Sequence, residues 1–273
     1  MQPDTPFEDL PPGALRLLQI TDPHIFGNPE KNLLGVDTRA SLAQVIDRVS
    51  TSVSGLDAVL LTGDIVHDNS DAGYLVAREL LSRLHAPVYV LPGNHDERSR
   101  LPLLQSGNSR TDKRIELGDW RILMLDSTRA GDESGELADK ELRILEHALN
   151  ERPERHALVC LHHHPVPVGS AWLDKIGLRN SDAFFELLDR HANVRCVLWG
   201  HIHQAFDQRR NGVRLLGTPS TCIQFMPGKT DFEVDAQPPG YRWLALLPDG
   251  GIRTRIGRVE HVSGGLELDS EGY

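Results

Sequence analysis

Val88-Tyr89-Val90-Leu91-Pro92-Gly93-Asn94-His95-Asp96 is the stretch on which the reading of this chain turns. A short apolar run, Val88 to Leu91, stops at a Pro-Gly turn, which marks a buried strand. The strand delivers an amide, an imidazole and a carboxylate to its carboxyl end, where open α/β sheets bind ligands. Gly93 lets the backbone bend sharply and approach a ligand closely. Taken alone, the motif reads equally well as an ordinary polar turn. The other strand ends of the chain decide between the two.

Upstream, Arg16 to Ile20 reads as a strand ending at Thr21-Asp22-Pro23-His24, and Ala58 to Leu61 as one ending at Thr62-Gly63-Asp64. Between them, Thr38 to Val53 has helical spacing, with Leu42, Val45, Ile46 and Val49 on one side and Thr38 as amino cap. Ser70 to Leu84 reads as a second helix, capped by Ser70 or Asp71. Strand–helix–strand–helix–strand in this rhythm predicts parallel strands joined by crossover helices.

Downstream, a polar loop spans Glu97 to Arg114, and a hairpin follows, turning at Gly118-Asp119. Ala138 to Glu151 and Ser181 to His191 are helical. The strand His156 to Leu161 ends in His162-His163-His164-Pro165, and Val194 to Trp199 ends at Gly200-His201-Ile202-His203. Further hairpins turn at Asn211-Gly212 and around Asp249-Gly250. The pattern predicts an α/β fold, a four-layer αββα sandwich of two mixed β-sheets flanked by helices. It forms one domain over residues 15–260, with a loose arm over 1–14 and a Gly-rich, acidic, mobile tail over 261–273.

The 273 residues carry a net charge of −10, which argues against a protein that grips nucleic-acid backbones through a basic face. A small phosphorylated substrate stays possible, because bound cations reverse a local field. Cys160, Cys196 and Cys222 are far apart and sit in apolar surroundings, so they read as reduced thiols of a cytoplasmic protein. No apolar run reaches the ~18 residues of a membrane span, and residues 1–13 lack a signal-peptide pattern.

Five strand ends carry metal-type donors: Asp22 and His24; Asp64; Asn94 and His95; His162 to His164; His201 and His203. Each is easily a turn residue or a satisfied histidine. Together, all at carboxyl ends of strands, they are hard to dismiss. Asp22/His24 and His201/His203 are spaced i, i+2, which in extended backbone aims both side chains one way. Counting one histidine of the triple run, the set exceeds the four donors of a tetrahedral zinc. It suits two cations sharing a carboxylate, and its imidazole–carboxylate character without sulfur suits iron, manganese, zinc or cobalt. Two cations ~3.5–4 Å apart can hold a phosphoryl oxygen and acidify a water between them.

Asp22-x-His24, Gly63-Asp64, Gly93-Asn94-His95-Asp96, His162 and Gly200-His201-x-His203 resemble, in order, spacing and strand context, the five blocks of the calcineurin-like metallophosphoesterases. A narrower resemblance, to the bacterial class III 3′,5′-cyclic AMP phosphodiesterases, lies in Leu18-Gln19-Ile20-Thr21-Asp22, Leu34-Gly35-Val36, Trp172-Leu173-Asp174, Leu178-Arg179-Asn180, Pro219-Ser220-Thr221-Cys222-x-Gln224-Phe225 and the closing Ser270-Glu271-Gly272-Tyr273.

The resemblance implies that Asp22, His24, Asp64 and His203 hold one cation and Asp64, Asn94, His162 and His201 the other. The pair is implied to be iron and/or manganese. His162, directly after its strand, is the implied ligand of the triple run, with His164 as fallback or as a support for a ligand ring. His95 would act on the phosphate or the leaving oxygen, and Asp96 would hold its ring. His24, Asp64, Asn94, His95 and His203 would meet the phosphate, and Thr221 and Phe225 would wall the base pocket. Asp68 is a supporting candidate. The implied reaction is hydrolysis of cAMP to 5′-AMP by a hydroxide bridging two metals, in a monomer or homodimer that binds neither nucleic acid nor membrane. Alternatives are another phosphodiester or a nucleotide pyrophosphate as substrate, or a non-catalytic scaffold.

Overall fold

The computed structural model describes residues 7–53, 55–105, 107–270 and 272. Residues 1–6 of the expected arm, and Glu271 and Tyr273 of the expected tail, lie outside the described residues. The first half of the chain runs β1 (Leu15–Ile20), α1 (Thr38–Ser52), β2 (Ala58–Thr62), α2 (Asp71–Leu81), β3 (Val88–Leu91), β4 (Ser109–Arg110), β5 (Arg114–Leu117) and β6 (Trp120–Met124). Then come α3 (Asp139–Glu151), β7 (His156–Cys160), α4 (Ser181–Leu188), β8 (Val194–Trp199), β9 (Phe206–Arg210), β10 (Val213–Gly217), β11 (Gln224–Phe225), β12 (Val234–Asp235), β13 (Gly240–Leu246) and β14 (Ile252–Arg258).

One sheet has the order β14-β13-β1-β2-β3-β4, parallel from β1 to β4 and antiparallel at β13 and β14. The other has the order β5-β6-β7-β8-β10-β9, parallel from β6 to β10 and antiparallel at both edges. The strand runs β1–β3 and β6–β8 are nearly all buried, as parallel strands covered on both faces must be. Apolar side chains form three layers. One lies between the first sheet and α1/α2, with Leu42, Val45, Ile46 and Val49 at i, i+3, i+4, i+7 as the buried stripe of α1. A second joins the sheets through Leu17, Leu60 and Leu91 against Met124, Leu158 and Leu198. The third packs α3 and α4 on the second sheet. The four-layer sandwich of two mixed sheets is the architecture expected from sequence.

Local differences have identifiable causes. Asp37, not Thr38, caps α1: its carboxylate accepts from Arg39 and Ala40 N–H at 3.0 Å each. Ser70 caps α2, accepting from Gly73 N–H. The loop after Asp96 contains a 3₁₀ turn, Arg98–Leu104, and the edge strand β4. Residues 263–267, read from sequence as part of a mobile tail, hydrogen-bond to residues 34–37: Asp37 N–H to Ser263 C=O, Gly265 N–H to Gly35 C=O, and Glu267 N–H to Leu34 C=O. Among the described residues, no helix is long and apolar enough to cross a membrane.

A polar strut crosses the middle layer just beneath the strand ends. Gln19 on β1 donates to Thr62 Oγ1 (2.9 Å) and to the Trp199 carbonyl of the other sheet (3.0 Å). Thr218 donates to Gln19 Oε1 and accepts from Arg242 Nε at 2.9 Å. Arg242, only 2% exposed, also donates to Gly217 C=O, Phe206 C=O and Thr254 Oγ1. Gln19→Leu should lower the urea-unfolding free energy by about 1–3 kcal/mol, because it strands buried partners on both sheets. An unchanged midpoint and slope would show that the strut carries no net stability.

Candidate metal centre

The strand ends of both sheets converge on one place. At the ends of β1, β2 and β8 the chain turns through left-handed residues other than glycine: Asp22 (φ 52°), His24 (46°), Asp64 (49°), His201 (65°) and His203 (50°). Asp and His are among the residues that tolerate this region best. The left-handed form still costs an ordinary residue roughly 1–2 kcal/mol, and such strain concentrates at functional sites. The i, i+2 pairs therefore meet by turning out of the extended region, not by the strand alternation that their spacing suggests.

Ligand atoms of Asp22, His24 and His203 lie within 4.8 Å of one another, as do those of Asp22, Asp64 and His162. His162 Nε2 is 3.3 Å from Asp64 Oδ2, 3.9 Å from Asp22 Oδ1 and 3.1 Å from Asn94 Oδ1. His24 Nε2 lies 3.7 Å from Asp64 Oδ2, and His203 Nε2 lies 3.4 Å from Asp22 Oδ1. The His201 ring sits 5.1 Å from that of His162. The structure thus brings Asp22, His24, Asp64, Asn94, His162, His201 and His203 into one cluster.

Second contacts aim the rings. Nδ1 of His162 is 2.8 Å from Thr62 C=O, and Nδ1 of His203 is 2.9 Å from Ile223 C=O. Each therefore carries a proton on Nδ1, which makes Nε2 the candidate ligand atom. His201 uses Nε2 for Ile176 C=O (3.2 Å), leaving Nδ1. His24 Nδ1 faces His67 Nδ1 at 3.2 Å. Asp64 Oδ1 accepts from His95 N–H (2.9 Å), and His201 N–H donates to both oxygens of Asp22 (3.0 and 3.1 Å). Gly93 is needed for close approach: a methyl there would land on the Asp64 carboxylate and backbone nitrogen.

The triple histidine divides by environment. His162 points into the cluster. His163 is occupied at both nitrogens, Nδ1 by Ser127 Oγ (2.8 Å) and Nε2 by Glu133 C=O (3.1 Å). His164 stacks on His201 at 5.5 Å and 19°.

Charge is arranged for cations. Burial pushes His24 and His201 well below the usual histidine range, so both are neutral donors. Burial alone would raise Asp64, but His162 and His95 hold it well below the usual carboxylate range. Burial lowers His162, and the Asp64 carboxylate more than offsets this, to about 9. Among the described residues, the ion-pair partners of the buried Asp22 and Asp64 are histidines alone. Two buried carboxylates beside the neutral imidazoles of His24 and His201 favour added counter-charge, and the donor set fits a pair of metal cations.

A sequence profile for calcineurin-like phosphoesterases matches residues 15–205, which is most of the chain and every strand end described above. The chain belongs to the calcineurin-like phosphoesterases. Curated relatives include a Pseudomonas aeruginosa protein named 3′,5′-cyclic adenosine monophosphate phosphodiesterase CpdA, 43% identical over 99% of this chain and 98% of that one. Proteins of the same name from Haemophilus influenzae and Escherichia coli K12 are each 41% identical; they align over 95% of this chain and over 96% and 95% of their own lengths. A dimetal phosphatase from Danio rerio superposes with a TM-score of 0.64 at 15% identity, over 90% of this chain and 99% of that one, and shows the shared fold.

Some residues of this calcineurin-like phosphoesterase sit elsewhere than the sequence suggested. Asp96 was read as the holder of the His95 ring. Its hydrogen bonds instead run to Ile65, Val66 and Gly93 N–H and the Tyr74 hydroxyl, so it ties the loop after β2 to the turn after β3. Burial, then Asp64, pushes its carboxyl up to about 6. Thr221 and Phe225 were read as walls of a base pocket. Thr221 is 0% exposed and bonded to Thr21 C=O. Phe225 is 1% exposed and stacks on His203 at 4.1 Å and 7°, edged by Trp172 and Phe232. It stacks flat on the His203 ring and holds it in place. Asp68 accepts from Gly27 N–H and from Ser70, bracing a loop. Two residues beside the cluster escaped the sequence reading. His67 lies three positions after Asp64, a spacing that offered a signal. Ser127, which accepts from His162 and His163 N–H, offered none.

Proposed function

We propose that the protein hydrolyses 3′,5′-cyclic AMP to 5′-AMP, lowering cellular cAMP. The observation that carries this is the near-full-length identity, 43% in one case, to curated phosphodiesterases named for that substrate. The buried cluster of seven donors supports it. We assign Asp22, His24, Asp64 and His203 to one cation and Asp64, Asn94, His162 and His201 to the second, with Asp64 shared. We take the cations to be iron and/or manganese, as the family resemblance implies; an imidazole, carboxylate and amide set without thiolate is compatible with them and equally with zinc or cobalt. A cytoplasmic location suits the three buried free thiols.

Bound cations supply positive charge for the phosphoryl oxygens and a water acidic enough to attack near neutral pH. The chain does the rest. Asp22, His24 and His203 are fully buried, whereas Asn94 and His95 are half-buried, so the phosphate arrives from the Asn94–His95 side. There His95 meets a phosphoryl oxygen or gives a proton to O3′. A water oxygen joins phosphorus, the P–O3′ bond breaks, and O3′ leaves as the hydroxyl of 5′-AMP.

Purified protein assayed for metal and for turnover of cAMP, cGMP, glycerophosphodiesters and ADP-ribose should hold two cations and work best on cAMP. Two cations with no cAMP turnover would overturn the substrate, and fewer than two would overturn the centre.

Within the triple run, His162→Ala should weaken metal binding beyond the ~10–100-fold typical of a supporting residue. His163→Ala and His164→Ala should fall within that range. Equilibrium dialysis against Mn²⁺ decides; a dominant loss at His164 would reassign the ligand.

A further inference from the structure

Three of the four clustered histidines are aimed by the main chain. The second nitrogens of His162, His201 and His203 lie against the carbonyls of Thr62, Ile176 and Ile223. His24 is the exception. Its Nδ1 lies 3.2 Å from Nδ1 of another side chain, His67.

His67 is held where it can do this. The loops beyond β1 and β2 continue to pair past the donors: His24 N–H donates to Asp64 C=O, Ile25 N–H to Ile65 C=O, and His67 N–H to Ile25 C=O. Its ring lies 4.8 Å from that of Phe26 and stacks on His95 (4.9 Å, 21°). The His95 ring in turn meets the edge of His24 at 4.8 Å. Nitrogens of His24, His67 and His95 all lie within 4.8 Å of one another. His67 is half-buried, on the same open side as His95.

We infer that His67 is a positioning residue with two duties: its Nδ1 accepts from Nδ1–H of His24, fixing Nε2 of His24 as the ligand atom, and its ring backs His95 at the phosphate side. This rests on the two-cation phosphodiesterase reading above. A cation on His24 Nε2 leaves that ring's proton on Nδ1, so His67 must present a bare Nδ1 and keep its own proton on Nε2. A partner of this kind sets tautomer and ring angle and raises ligand basicity. Because this partner is a side chain, it can be replaced without disturbing the backbone.

Two substitutions separate the duties. His67→Asn places an amide oxygen near the former Nδ1, so it keeps an acceptor and loses the ring. His67→Phe keeps the ring and loses the acceptor. Chelated protein is titrated with Mn²⁺, bound metal is counted, and melting temperature reports the fold. Wild type should bind two Mn²⁺. His67→Phe should bind one of them about 10–100-fold more weakly, with cAMP turnover recovering at saturating Mn²⁺. His67→Asn should bind both like wild type but keep a lowered kcat at saturating Mn²⁺, with KM little changed.

If His67→Phe melts early, His67→Leu, equally without an acceptor, replaces it in the metal titration. Wild-type Mn²⁺ binding in the acceptor-free variant, or equal weakening in His67→Asn, would overturn the first duty. Wild-type kcat in His67→Asn would overturn the second. Fewer than two Mn²⁺ on the wild type would instead sink the two-cation reading itself.

Discussion

Asp64→Asn should lose at least about a thousandfold in cAMP turnover and most of its bound metal. The substitution is nearly isosteric. Its amide oxygen can still accept from His95 N–H, which reaches Asp64 Oδ1 at 2.9 Å, so the turn that carries Asn94 and His95 survives. What goes is the charge that faces His24 and His162 from Oδ2, at 3.7 and 3.3 Å. Both cation positions lose a donor there, and two cations at the site would repel each other with less negative charge between them. Metal stabilisation of transition-state charge is worth several kcal/mol, and each ~1.4 kcal/mol is tenfold in rate. Metal analysis and initial rates on one preparation test this. Turnover close to wild type would end the idea of a shared carboxylate.

His95→Ala should lose about 10²- to 10⁴-fold on cAMP, the usual range for general acid–base help, while keeping both cations. His95 follows Asn94 and holds Asp64 through its main-chain N–H, which alanine retains. Its ring completes neither proposed coordination set. A nitrophenyl diester, whose leaving group needs less protonation, should suffer a smaller loss. Equal losses on both substrates would leave His95 a phosphate contact without an acid role. Wild-type rates with metals intact would make it a plain turn residue.

The strands, helices and hairpins were legible because each carries a local signal: apolar runs that end at Gly or Pro, a stripe at Leu42, Val45, Ile46 and Val49, and the Asn211-Gly212 turn. The candidate donors were legible because they fall at those strand ends. Side-chain partners were not. Asp96 looked like a support for His95 from adjacency alone, but a carboxylate at a tight turn is claimed first by nearby N–H groups, here those of Ile65, Val66 and Gly93. Phe225 looked available for stacking on a base, yet burial behind His203 depends on how β11 and β12 fold over the site, which no local pattern encodes. The cap of α1 moved by one residue because Asp37 and Thr38 are both competent, and only the backbone geometry chooses.

The pairing of β13 with β1 sets the order in which the cluster can come into being. Asp22, His24, Asp64 and Asn94 leave the ribosome early, but the sheet that seats them is closed by residues 240–246, and His201 and His203 belong to the other sheet. Chains emerge at roughly 5–20 residues per second. The early donors therefore wait many seconds, held by half a scaffold. The strand that flanks β1 on the side away from β2 thus reaches it more than 200 residues after Asp22, so the seat of the early donors is completed long after they are made.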